Sequence, residues 1–131
     1  MIRLLVAEDD DIVQRTILRT FRSVTSVEVH MTNNGFEALT RLRGEERYDF
    51  IVSDVNMPVM GGVEFFTCVA NEFPSLLGRF VFFTSESPET VRNQIDKASP
   101  KNVQKLVRRM GLRVLDKSAF AQVRSLVAPA V

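Results

Sequence analysis

The chain has 131 residues, of which 45% are hydrophobic and 25% charged, the size and composition of one soluble domain with one core; disordered, collagen-like and fibrous classes are excluded. Seventeen basic against sixteen acidic side chains leave a net charge of +1, which supplies no general field for nucleic acid or anionic lipid, so function must come from a local site. The single cysteine, Cys68, cannot close an internal disulfide, and the longest apolar runs fall far short of the roughly 18 residues of a spanning helix, so a cytoplasmic protein without membrane contact is expected.

Ile2 to Ala7 is a short, largely apolar run that ends abruptly on acid, as for a strand covered on both faces. From Asp11 the spacing turns helical, with Val13, Ile17, Thr20 or Phe21, and Val24 on one side. Val27 to Met31 alternates, which suits an edge strand with one wetter face. Asn33-Asn34-Gly35 breaks the chain and starts a helix carrying Phe36, Leu39 and Leu42, closed by Gly44. Tyr48 to Ser53 is a third strand, followed by Asp54 and the turn chemistry of Met57-Pro58-Val59-Met60-Gly61-Gly62. Val63, Phe66, Val69, Ala70 and Phe73 then build a helical face that Pro74 closes. Arg79 to Phe83 is the fourth and most hydrophobic strand, with Thr84 and Ser85 at its end. Two short helices follow, one with Val91, Ile95 and Ala98, the other with Val103, Leu106, Val107 and Met110, separated by Ser99-Pro100 and closed by Gly111. Leu112 to Leu115 is the last strand, and Phe120, Val123 and Val127 mark a final helix.

Five strands alternating with helices predict an α/β domain over 1–131, a doubly wound parallel sheet with right-handed crossovers. Ligands of such sheets bind outside the carboxyl ends of the strands. The unusual polar residues collect there: Glu8-Asp9-Asp10, Asp54, Thr84-Ser85 and Asp116-Lys117. Singly, each has a structural reading, since acids before a helix cap it and favour the positive end of its dipole. Together, three carboxylates at one rim repel one another and call for a cation, and oxygen-only ligands with a partly open shell suit Mg²⁺. A lysine and a hydroxyl facing the metal would contact phosphoryl oxygens.

With these residues in place the sequence resembles the response-regulator receiver domains of two-component signalling. The matching pieces are Leu4-Leu5-Val6-Ala7-Glu8-Asp9-Asp10, Asp54-Val55-Asn56-Met57-Pro58 with Gly61-Gly62, Thr84 and Lys117, in the family's order along nearly the whole chain. The resemblance implies a flavodoxin-like fold of strand order 2-1-3-4-5. It further implies that Asp54 accepts a phosphoryl group from the phosphohistidine of a sensor histidine kinase or phosphotransfer protein, or from a small phosphodonor. Glu8 and Asp9 look like the acidic pair that holds Mg²⁺ with Asp54, Asp9 directly and Glu8 through water, while the Asn56 backbone carbonyl completes the set. Thr84 and Lys117 look like the residues that bind the transferred group. Asn56 and Glu86 occupy the positions that flank the path of attacking water. Such a protein phosphorylates and dephosphorylates itself rather than acting on a separate substrate.

Four departures from the family pattern concern its output. Ser85 stands where a smaller residue is usual, adding bulk and a hydroxyl beside the phosphate entry path. Ser118 follows the lysine where proline is common, and Val114 replaces the aromatic switch residue, so ring rotation cannot be the readout. Thirty-two residues separate Thr84 from Lys117, more than the roughly dozen a crossover needs, which leaves room for the extra helix ending at Met110. An adaptor that binds partners without phosphoryl turnover is the alternative; a flavin carrier is disfavoured because Glu8-Asp9-Asp10 would repel a phosphate after the first strand. Whether the chain works alone or as part of a longer protein, and its downstream partner, stay open. Among the remaining residues Cys68 is expected as a small buried thiol, His30 as an exposed surface histidine, and the phenylalanines as core, Phe65 being contested by Phe66. Arg108, Arg109 and Arg113 form a basic cluster, either a solvated face or a partner contact.

Overall fold

The computed structural model describes residues 1–129; the last two of the expected 1–131 domain lie outside it. Five parallel strands, β1 (Ile2–Ala7), β2 (Val27–Thr32), β3 (Phe50–Ser53), β4 (Phe80–Phe83) and β5 (Arg113–Leu115), form one sheet of order β2-β1-β3-β4-β5. This is the doubly wound, flavodoxin-like arrangement expected from the alternation. Successive side chains of a strand point to opposite faces, and the core divides accordingly. Leu5, Ala7, Ile51, Phe80 and Phe82 enter one apolar cluster, and Leu4, Val6, Val52, Val81 and Phe83 enter the other.

Helices α2 (Gly35–Leu42), α3 (Gly62–Glu72), α4 (Pro88–Ala98) and α5 (Lys101–Met110) cover the first face, through residues such as Leu39, Phe66, Ile95 and Val107. Helices α1 (Asp11–Phe21) and α6 (Phe120–Val127) cover the second, through Ile17, Phe21, Val123 and Val127. Each buried Leu, Ile or Phe contributes roughly 1.5 to 3 kcal/mol of transfer free energy, so these two clusters dominate the attraction that holds sheet and helices together.

Local chemistry sets the helix starts. The Asp10 carboxylate accepts from the amides of Ile12 and Val13 at 2.9 and 3.1 Å, Asn34 Oδ1 accepts from Glu37 N–H at 2.9 Å, and Ser87 Oγ accepts from Thr90 N–H at 3.1 Å. All three satisfy amides that a helix leaves unpaired. Gly111, at φ 78°, ends α5 in a conformation that disfavours a side chain.

Helix α5 is the additional element anticipated between β4 and β5. Because α4 leaves the carboxyl rim and β5 begins at the opposite edge, α5 runs along the amino edge of the sheet, away from the acidic rim. Thr67 of α3 and Ser99 share a hydrogen bond of 2.7 Å, and the Asn102 amide donates to Asn71 Oδ1 of α3 at 3.5 Å. The insertion is therefore fastened to α3.

Several sequence expectations need correction. Phe36 is 53% exposed, because the buried stripe of α2 is Gly35, Ala38, Leu39 and Leu42. Phe65 and Phe66 are both buried: Phe65 lies against Gly35, where an added Cβ would stand 2.8 Å from the Phe65 Cβ, so the two rings fill adjacent layers. Cys68 is only half-buried. Strands β3 and β5 begin later than the apolar runs suggest, at Phe50 and Arg113, and Pro74 opens a 3₁₀ helix, Pro74–Arg79, before β4.

His30 is also not a free surface residue. Its side chain is 10% exposed, its Nδ1 lies 2.8 Å from the Tyr48 hydroxyl and its Nε2 2.6 Å from Glu28 Oε1. The Tyr48 hydroxyl also donates to Glu46 at 3.0 Å. Burial, and then this carboxylate, push the Tyr48 phenol up to about 12.

Candidate functional site

The register aligns Ala7 with Ser53 across β1 and β3, so Glu8 and Asp54 emerge side by side from the two central strands. Both are buried, at 2% and 4% exposure. Asp9 follows at the surface, and one carboxylate oxygen from each of Glu8, Asp9 and Asp54 lies within 4.8 Å of the others. Asp10, which sequence alone leaves as either cap or rim acid, is the cap of α1.

Two devices fix the acids in place. The Glu8 backbone spans from Thr32, whose carbonyl accepts its N–H at 3.1 Å, to Gln14, whose amide donates to the Glu8 carbonyl at 2.5 Å. The Asp54 N–H donates to the Ala7 carbonyl at 2.9 Å, and Asp54 Oδ1 accepts from Val55 N–H at 2.7 Å. Helix α3 starts directly on this loop: Gly62 N–H donates to the Val55 carbonyl at 2.8 Å, and a Cβ on Gly62 would stand 2.0 Å from the Asp54 carbonyl oxygen. Only glycine fits there. Val59, in the same loop, sits at φ 67°, a strained position for a β-branched residue.

Lys117 reaches in from the end of β5. Its ammonium lies 2.7 Å from Asp54 Oδ2 and 3.3 Å from Glu8 Oε1. Burial pulls the Lys117 ammonium down, but the carboxylates of Asp54 and Glu8 outweigh it and raise its pKa above the ordinary value. Burial raises Glu8 above the carboxylate range, helped by Asp54 and opposed by the Asp10 amide and Lys117. One ammonium facing three carboxylates leaves the pocket short of positive charge. Glu8 Oε1 makes no hydrogen bond; Lys117 meets it only as an ion pair and donates instead to Glu8 Oε2, at 3.5 Å. An orphaned buried carboxylate oxygen within a three-carboxylate, all-oxygen donor set fits a hard divalent cation.

Thr84 is buried at the end of β4, where its Oγ1 accepts from Glu86 N–H at 3.1 Å. Asn56 is exposed and its side-chain amide donates to Glu86 Oε1 at 3.1 Å. Ser85 is exposed. Ser118 N–H and Oγ both donate to Asp116 Oδ2, at 3.0 and 2.5 Å, and these bonds lower the Asp116 pKa. The hydroxyl and then the backbone of Ser118 thus shape the turn after Lys117. Gln14 and the Asn56–Glu86 bond are absent from the sequence reading, since a glutamine on a helix and a side-chain pair thirty residues apart carry no local signal.

Comparison with known proteins agrees with this fold and acidic pocket. Residues 4–118 match the family described as the response regulator receiver domain, and the chain belongs to that family. It is 31% identical over 93 residues to the response regulator GacA of Pseudomonas viridiflava, covering 70% of this chain and 43% of that protein. To the transcriptional regulatory protein CpxR homolog of Haemophilus influenzae it is 39% identical over 60 residues, 46% of this chain and 26% of that one. The matches thus span less than half the length of these curated relatives. Among solved structures, the chemotaxis response regulator CheY4 of Vibrio cholerae superposes with a TM-score of 0.69 at 24% identity, covering 97% of this chain and 98% of that chain. A response regulator receiver protein from Sinorhizobium medicae gives 0.72 at 16% identity, covering 98% and 92%. These two likenesses speak for the fold. No helix among the described residues is long and apolar enough to cross a membrane.

Proposed function

We propose that 1–131 is one receiver domain acting as a phosphorylation-activated signalling switch, with Asp54 as acceptor of a phosphoryl group from the phosphohistidine of a sensor kinase or phosphotransfer protein. The observation that carries this reading is the Lys117 ammonium held between Asp54 and Glu8. Bound by Glu8, Asp9, Asp54 and the Asn56 carbonyl, Mg²⁺ would supply the positive charge that the pocket lacks and that phosphoryl oxygens need.

The chain's own residues account for the rest. A carboxylate oxygen of Asp54 forms the new bond to phosphorus as the P–N bond to the donor imidazole breaks. The Val55 amide, 2.7 Å from Asp54 Oδ1, and the short Asp54 loop hold the nucleophile at one angle. Lys117, already paired to the nucleophile, follows the negative charge onto the phosphoryl oxygens. The Thr84 hydroxyl hydrogen is given to no other described group, so it is free to donate to the same oxygens. Drawing Thr84 inward displaces the Glu86 amide that it accepts from, and α4 begins two residues later. The change is thus passed to the partner-binding surface around β4, β5 and the inserted helix, with no part for an aromatic ring at Val114.

Incubation with Mg²⁺ and a small phosphodonor, followed by intact-mass measurement, tests the reading. One phosphoryl group is expected on the wild type and none on Asp54→Asn or on wild type stripped of divalent metal. An unmodified wild type would instead favour an adaptor that binds partners without turnover.

A further inference from the structure

The insertion between β4 and β5 carries a charge distribution that the switch chemistry does not use. Residues 84–112, between the two strands, hold six of the seventeen basic side chains and three of the sixteen acidic ones, leaving eleven basic against thirteen acidic elsewhere. Near neutrality overall therefore conceals a basic segment on an otherwise acidic molecule. Helix α5 concentrates it. Val103 and Val107 turn into the core, while Lys101, Lys105, Arg108 and Arg109 are exposed. At 3.6 residues per turn these four cations fall within an arc of roughly 100° and a length of roughly 12 Å. Every ion pair among the described residues uses other side chains. Four adjacent cations left unpaired repel one another, and a complementary anion would relieve that repulsion.

We propose that the exposed face of α5 docks an acidic protein segment, its carboxylates spaced to meet Lys101, Lys105, Arg108 and Arg109. Charge complementarity selects this occupant over two others. The exposed arc contains no aromatic side chain on which bases could stack, and the acidic remainder of the molecule would be repelled by a long polyphosphate. A membrane surface is disfavoured because the apolar stripe of α5 is spent on the core, leaving no insertable face beyond Met110, which is 49% exposed. A short acidic segment meets only the basic face, and the arginine forks suit carboxylates. The site lies at the amino edge of the sheet, opposite the acidic rim, and does not depend on Asp54 being a phosphoacceptor.

Fluorescence anisotropy with a labelled helical peptide carrying glutamates at i, i+4 and i+7 tests this, with duplex DNA and phosphatidylserine vesicles as competing probes. Two variants with equal charge loss are compared, Lys105→Gln/Arg108→Gln on α5 and Arg19→Gln/Arg22→Gln at the end of α1, all exposed positions. Salt-dependent peptide binding that weakens about tenfold in the α5 variant and less than about twofold in the α1 variant is expected. Equal loss in both variants, no peptide binding by the wild type, or tighter binding of DNA or vesicles than of peptide would each overturn the proposal.

Discussion

The side-chain amide of Asn56, in the loop after β3, donates to Glu86 Oε1, in the loop after β4, at 3.1 Å and thirty residues' separation. The bond joins the two loops that flank Asp54. With Asp54 as the proposed acceptor, these two polar groups would flank the approach of water to its phosphoryl group and would orient the water rather than exclude it. Phospho-Asp54 is accordingly expected to hydrolyse without a separate phosphatase. Replacing both residues by apolar groups, Asn56→Met with Glu86→Leu, should lengthen the phosphorylated state by about tenfold, read by phosphate release. An unchanged decay rate would mean that these side chains do not govern water access.

Asp9 is the exposed member of the carboxylate triad, so its removal should leave the core intact. Asp9→Ala is expected to abolish Mg²⁺ binding by titration calorimetry while raising metal-free stability by about 0.5 kcal/mol, through relief of repulsion with Glu8 and Asp54. Undiminished metal affinity would remove Asp9 from the ligand set.

Gly62 touches the Asp54 backbone so closely that a methyl group has no room, the nearest carbonyl oxygen being 2.0 Å from the Cβ position. Gly62→Ala should cost at least about 3 kcal/mol in urea denaturation, and the folded fraction should accept phosphate poorly because α3 and the Asp54 loop must part. At Val59 the direction reverses. Its φ of 67° costs roughly 1 to 2 kcal/mol for a side-chain-bearing residue, partly offset by the extra freedom of an unfolded glycine. Val59→Gly should therefore stabilise by about 0.5 to 1 kcal/mol.

Tyr48 is the only tyrosine and tryptophan is absent, so its ionisation can be followed by absorbance alone. The tyrosinate band should appear near pH 12 rather than 10. A phenol whose folded pKa is raised adds stability that is full below the unfolded value and lost as pH rises through the folded one. Alkaline unfolding should thus coincide with the titration. A midpoint near 10 in the folded protein would show that the phenol is neither buried nor held by Glu46 as described.

The strand alternation and the rim acids were legible because each strand is an apolar run that ends in polar residues, a pattern set by burial on both sheet faces. Alternation in Val27 to Met31 instead marked the edge strand, where one face is wetter. What the sequence hides depends on contacts between distant segments. His30 reads as polar and exposed until Tyr48 and Glu46, brought over by the loop before β3, close upon it. Phe36 reads as core by its spacing from Leu39, whereas Gly35 and Ala38 define the buried stripe of α2. At the rim, strand ends alone brought Glu8, Asp9, Asp54 and Lys117 together, but the seat of the Lys117 ammonium against both Glu8 and Asp54 required the fold to place it.

The strand order also sets a timetable for the nascent chain. Glu8 and Asp9 leave the ribosome first and Asp54 later, and β1 must wait for β3 before the acids meet. Lys117 emerges last, after the whole insertion has been made. A chain lacking β5 would carry its carboxylates without their ammonium and would leave the Phe80 to Phe83 run on an unpaired edge. Docking of β5 relieves both hazards in one step, so the capacity to bind phosphate should appear only when folding is complete.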